Sequence, residues 1–166
     1  PSLCRALAAM PQFAAAHTVA AFLGTGAEPG TRPLLHAVLA AGKRLCLPVC
    51  GSKEREMHMA AVTGLESLVP GPFGILQPGR KALPVPPQKI DLCLVPCVAA
   101  DAAGGRLGRG KGYYDVFLPL LRPGSTAVLC CFSWQLVPRV PREGHDIRLS
   151  LLATEHGAQR AKAVQS

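Results

Sequence analysis

Ile90-Asp91-Leu92-Cys93-Leu94-Val95-Pro96 decides the fold. Beyond Asp91 the run has no polar residue at alternate positions, so a strand made from it buries both faces. Strands of that kind belong to parallel sheets with helices on either side. Apolar runs at residues 17–23, 45–49 and 126–132 repeat the pattern; a weaker one spans 57–62, and a last strand is expected at 147–153. Residues 31–41 suit a helix, with Thr31 as its cap, Pro33 in its first turn and Gly42 at its end. Leu34, Leu35, Val38 and Leu39 would form its buried stripe. The expected architecture is a single α/β domain over residues 1–166, three-layered (αβα), with a mostly parallel central sheet.

Between these runs, residues 64–89 are rich in Gly and Pro, with six prolines from Pro70 to Pro87. Neither flank is large enough to be a separate domain, so this segment reads as an ordered surface loop. Residues 158–166 read as a polar tail that frays.

At 166 residues and 49% apolar composition, the chain has material for a sizeable core, which excludes a disordered protein. No uninterrupted apolar run approaches the roughly 20 residues needed to cross a bilayer, so a soluble protein is expected. The net charge of +8, from 18 Lys and Arg against 10 Asp and Glu, favours an anionic partner without choosing one. Of the seven cysteines, Cys46, Cys50, Cys93, Cys130 and Cys131 lie in or beside strand-like runs, which predicts buried free thiols and a reducing compartment.

The chemistry sits just after the decisive strand. Residues 104–115 read Gly-Gly-Arg-Leu-Gly-Arg-Gly-Lys-Gly-Tyr-Tyr-Asp and lead into a candidate helix. Ligands of open α/β sheets bind beyond the carboxyl ends of the strands. Glycines there let backbone N–H groups approach phosphate oxygens. Arg106, Arg109 and Lys111 add three cations, and Arg106 and Lys111 are expected to face solvent. From Gly105 to Lys111 the spacing fits a P-loop, yet Gly112 stands where the Mg²⁺-holding Ser or Thr should be. The segment therefore reads as a nucleotide-phosphate loop of another kind.

The run 90–96, Asp101 and the segment Gly105–Asp115 closely resemble the signature of the 5-formyltetrahydrofolate cyclo-ligase family. Other pieces agree in order: Glu28-Pro29-Gly30-Thr31, Leu47-Pro48, Phe73-Gly74-Ile75 with Gln77-Pro78, Val140-Pro141 with Glu143 and His145-Asp146, and Thr154-Glu155. The resemblance covers roughly residues 2–157. Departures are Gly30 for Asp, Gln77 for Glu, Ala100 for an aromatic, and a start that falls after the family's basic N-terminal helix.

The resemblance implies an enzyme that uses ATP and Mg²⁺ to convert 5-formyltetrahydrofolate into 5,10-methenyltetrahydrofolate, ADP and phosphate. It implies that Arg106, Gly108, Arg109, Gly110, Lys111, Gly112, Tyr113 and Tyr114 hold ATP. Glu28, Met57 (with Met59 as its alternative), Arg109 and Tyr113 would contact folate, and Asp115 and Asp146 would bind Mg²⁺. A polyglutamylated substrate would explain basic residues near Met57, Lys53 and Arg55 among them. A monomer is expected, in the cytoplasm, or in a mitochondrion or plastid if a targeting segment was removed. Two other readings stay open: a catalytically reduced folate- or nucleotide-binding relative, and a basic nucleic-acid-binding module.

Overall fold

The computed structural model describes residues 2–53 and 55–163. Its first elements are helices α1 (Ser2–Ala8) and α2 (Pro11–Ala15), strand β1 (Thr18–Ala20) and helix α3 (Arg32–Ala40). Next come β2 (Arg44–Cys50), β3 (Met57–Val62), β4 (Leu68–Pro70), β5 (Leu76–Pro78) and β6 (Pro84–Val85). Then follow β7 (Leu92–Pro96), β8 (Ala99–Ala100), β9 (Arg106–Leu107) and helix α4 (Tyr113–Phe117). Strands β10 (Thr126–Cys130), β11 (Leu151–Thr154) and β12 (Gly157–Arg160) complete the order.

Eight of the described strands form one sheet in the order β12-β11-β10-β7-β1-β2-β3-β6. The five from β11 to β2 are parallel, and β12, β3 and β6 are antiparallel additions at the two sides. Strand β7 does what its composition requires. Leu92 and Leu94 enter one core with Leu34, Leu35 and Val38 of α3, while Cys93 and Val95 enter a second with Phe117 and Leu118 at α4. Adjacent residues thus serve opposite faces, and both faces are dry. No described helix is long and apolar enough to cross a membrane.

Chain order reverses between β1 and β7: β2 follows β1 on one side, and β10 and β11 follow β7 on the other. Such a switch point opens a crevice at the carboxyl ends of the strands. The 64–89 segment holds the β4–β5 hairpin and β6, and β6 pairs with β3.

Several boundaries differ from expectation for local reasons. Strand β1 pairs only over Thr18–Ala20, and Phe22 and Leu23 leave the sheet to line the crevice. Thr31 stands at the N-cap of α3, as expected, but its side chain makes no capping bond; its hydroxyl donates to Phe22 O and accepts from Gly24 N–H, fastening that departing segment to the helix start. Strand β10 ends at Cys130, because the Phe132 N–H turns to the Gln135 side chain. Strand β11 starts at Leu151 because the Leu149 N–H bonds Gly104 O instead of a strand. The polar tail is the largest correction. Residues 157–160 form β12 along β11, Ala161 N–H bonds Ser150 O, and Lys162 N–H bonds Ala102 O. A polar sequence suits a strand with one edge in solvent, so polarity there did not mean fraying. Residues 164–166 lie outside the described residues.

Asp101 is the buried polar hub of the site's scaffold, 4% exposed. Its Oδ1 accepts the N–H groups of Ala103 and Gly105 at 3.0 Å each, and its Oδ2 accepts Val140 N–H at 3.1 Å. Burial pushes its pKa up, but the three N–H bonds and nearby Arg148 outweigh it and hold the carboxyl below the ordinary range. The stabilisation is therefore complete above the unfolded carboxyl pKa of about 4 and lost as pH falls through the lower folded value. Asp101→Asn is expected to cost about 1–3 kcal/mol in urea unfolding at pH 7, because the amide nitrogen cannot accept an N–H. The penalty should shrink below about pH 4; a penalty independent of pH would assign it to packing.

Candidate active site

A cleft of ≈ 680 Å³ lies over the carboxyl ends of β1, β2 and β7. Glu28, Met57, the Arg106–Asp115 segment and Asp146 all line it. Met59, two residues further along β3, is fully buried in the core and leaves the lining to Met57. The β8–β9 hairpin starts the phosphate-loop segment, and α4 ends it.

Strand alternation turns Arg106 inward while Leu107 points out, 42% exposed. The Arg106 side chain is only 6% exposed, against the expected solvent-facing position. Its guanidinium pairs with Asp115 at 2.6 Å and lies 5.8 Å from the centre of the Tyr114 ring. Burial holds the Tyr114 phenol well above its ordinary pKa, so it stays a neutral donor. Arg106 Nε and the Tyr114 hydroxyl have no hydrogen-bond partner among the described residues. Both are buried beneath the lining of the cleft.

The other two cations are nearer solvent. Arg109 reaches across the cleft to Thr25 and Glu28, with Glu28 Oε1 at 3.4 Å. Glu28 precedes α3 by four residues, so it is not an acid of that helix's first turn. The Lys111 ammonium sits 5.4 Å from the centre of the Phe73 ring, which is 71% exposed and held at φ 61°. Asp146 Oδ2 accepts Glu143 N–H at 2.7 Å. Cys50 lines the same cleft beside Tyr113; burial pushes its thiol pKa up more than the Tyr113 hydrogen bond pulls it down.

Some lining residues carried no assignment in the sequence reading. Phe73 had a usable signal, a lone aromatic in a Gly-Pro turn where no core needs it. Arg142, Glu143 and His145 also line the cleft; Glu143 and His145 belonged to the resemblance without a role, and only their neighbour Asp146 was given one. Arg55 lines the cleft, whereas Lys53 does not. Gln77, a departure from the family pattern, accepts Cys50 N–H with Oε1 at 3.3 Å. An amide oxygen makes that bond as a carboxylate would, so the substitution keeps the hairpin on β2.

A glycine loop with three cations, set at the switch point of a mostly parallel sheet, makes this an α/β domain whose cleft has the backbone and charge to suit an anionic group. Its relatives sharpen that class. The sequence profile of the 5-formyltetrahydrofolate cyclo-ligase family matches residues 2–155, and the chain belongs to that family. The Escherichia coli K12 5-formyltetrahydrofolate cyclo-ligase is 34% identical over 156 residues, 87% of this chain and 81% of its own. The Mycolicibacterium smegmatis cyclo-ligase is 32% identical over 141 residues, 82% of this chain and 73% of its own. The solved structure of Aquifex aeolicus 5,10-methenyltetrahydrofolate synthetase superposes with a TM-score of 0.82 at 33% identity, over 99% of this chain and 82% of that one.

Two glycines of the loop should separate conformational from ligand demands. Gly112 has φ +66°, and a Cβ there would stand 3.3 Å from Arg55 Nε. Gly112→Ala is expected to cost about 1–3 kcal/mol of stability. Gly108 lies outside the positive-φ region, with Arg106 Nη1 the nearest atom at 3.5 Å from a built Cβ. Gly108→Ala should leave the melting temperature almost unchanged while weakening ATP binding. Equal melting shifts in the two variants would contradict this division.

Proposed function

We propose that this chain converts 5-formyltetrahydrofolate to 5,10-methenyltetrahydrofolate, consuming ATP and releasing ADP and phosphate. The observation that carries the reading is one shared cleft: the 106–115 segment, Glu28 and Met57 all line it. A formamide oxygen is a poor leaving group. Attack of that oxygen on the γ-phosphate makes it a phosphate ester on an iminium carbon and releases ADP. The folate N10 then closes on that carbon, phosphate departs with the former formyl oxygen, and N10 loses its proton. Such a reaction asks for alignment of two substrates and neutralisation of phosphoryl charge, and needs no protein nucleophile.

Roles follow from placement. Gly108, Gly110 and Gly112 give the phosphates close access to backbone, with Arg109 and Lys111 as the reachable cations. Arg106 acts from beneath, orienting Asp115 and stacking on Tyr114. Glu28 suits the N–H-rich edge of a pterin, with Met57 as apolar wall and Tyr113 between the two substrates. Both walls come from one chain, which is what a monomeric enzyme requires.

Asp115 and Asp146 are the residues that would hold Mg²⁺. No group of three or more His, Cys, Asp or Glu side chains able to hold a metal ion occurs among the described residues. Both carboxylates line the cleft, and hard oxygen donors there suit a cation that keeps waters and takes phosphate oxygens, as Mg²⁺ does. Bound there, Mg²⁺ supplies charge neutralisation for the triphosphate.

Protein mixed with 5-formyltetrahydrofolate, Mg²⁺ and ATP should generate the methenyltetrahydrofolate absorbance; tight folate and ATP binding without that signal would leave a ligand-binding relative. Asp115→Asn keeps an oxygen for Arg106 and loses the charge. It should raise the Mg²⁺ concentration for half-maximal turnover far more than the folate KM, and equal effects would make Asp115 a structural partner of Arg106.

Arg55 at the cleft supports a preference for polyglutamylated folate. The attraction is screened over about 8 Å at physiological ionic strength. The polyglutamate advantage should shrink as salt rises, whereas parallel salt curves for mono- and polyglutamate would remove Arg55 from that role.

A further inference from the structure

Thr25 lies in the turn between β1 and α3, where Glu28 N–H bonds Thr25 O at 3.1 Å. Its hydroxyl has two partners. It accepts from Arg109 Nη2 at 2.6 Å and donates to Glu28 Oε2 at 3.4 Å. The Thr25 N–H also donates to Glu28 Oε2, at 3.1 Å. Arg109 comes from the phosphate loop, 84 residues along the chain, and its other contacts here are longer: Thr25 O at 3.4 Å and Glu28 Oε1 at 3.4 Å. The hydroxyl is thus the shortest anchor of a side chain that is 47% exposed and otherwise able to sample many rotamers.

We propose that Thr25 is a positioning residue for this reaction: its hydroxyl holds the Arg109 guanidinium across the cleft, aimed at the nucleotide's phosphates. This rests on the assignment of Arg109 to phosphate given above. A guanidinium has five N–H donors in a rigid fork. Engaging Nη2 on Thr25 fixes the plane of that fork and leaves donors on Nε and Nη1 for a phosphate oxygen. Holding the cation in place before binding removes part of the ordering cost that a free arginine meets on capture of the nucleotide. Glu28 depends on the hydroxyl much less, because the Thr25 backbone N–H holds the same carboxylate oxygen whatever the side chain. Loss of the hydroxyl should therefore fall on ATP and largely spare folate.

Thr25→Val preserves shape and removes the hydroxyl; Thr25→Ser restores it. Equilibrium ATP binding without folate, the KM values for ATP and 5-formyltetrahydrofolate, and melting temperatures would be measured for wild type, both variants and Arg109→Ala. The expected result is ATP binding weakened about tenfold in Thr25→Val, as for loss of one hydrogen bond to a charged group. The folate KM and the melting temperature should stay near wild type, Thr25→Ser should recover ATP binding, and Arg109→Ala should be at least as weak as Thr25→Val. Wild-type protein that binds ATP while Thr25→Val matches it overturns this inference and leaves the proposed function standing. Equal losses for ATP and folate, or a lowered melting temperature not recovered by Thr25→Ser, would overturn it in favour of a structural turn residue. Failure of wild type to bind ATP at all would overturn both.

Discussion

The site depends on one buried carboxylate. Asp101 gathers N–H groups from Ala103 and Gly105, at the root of the phosphate loop, and from Val140, where the wall carrying Glu143 and Asp146 begins. Without it, two irregular segments would meet with unsatisfied donors in a dry interior. With it, both walls are fixed relative to the end of β7. Gly104 and Gly105 are the matching constraint. Gly104 sits at φ +82° with Leu149 O 1.9 Å from where a Cβ would lie, and a Cβ on Gly105 would lie 2.7 Å from Asp101 Oδ2. Backbone and carboxylate are packed too closely for any side chain there.

Above that scaffold each cation of the loop has a partner. Arg106 is paired with Asp115, Arg109 reaches Glu28, and Lys111 rests against the Phe73 ring. A net charge of +8 therefore does not make the loop a bare cationic patch. Each cation is held by a partner on another part of the wall, which keeps the cleft shaped before substrate arrives. The buried Arg106–Asp115 pair is the costly one, and it is more convincing as a device for orientation than as a source of stability.

Much of this was legible in the residues. The unbroken apolar run of β7 required two covered faces and a parallel sheet, and the glycine-cation segment placed the cleft at its carboxyl end. What could not be read were the facts set by distant partners. Arg106 faces inward because β9 pairs with β8, Thr31 ties down Phe22 because β1 is short, and residues 157–160 are a strand because β11 offers an edge. Composition at those positions is equally compatible with solvent, and only tertiary pairing decides. Thr25 showed the same limit: its partner Arg109 lies 84 residues along the chain.

The proposed reaction needs nucleotide and folate side by side in one cleft, the first on the 106–112 loop and the second towards Glu28 and Met57. Titration calorimetry of a non-hydrolysable ATP analogue into protein already saturated with 5-formyltetrahydrofolate addresses this directly. The expected result is a ternary complex with one molecule of each ligand and no displacement of folate. Mutually exclusive binding, with the apparent Kd of the analogue rising in proportion to folate concentration, would contradict it.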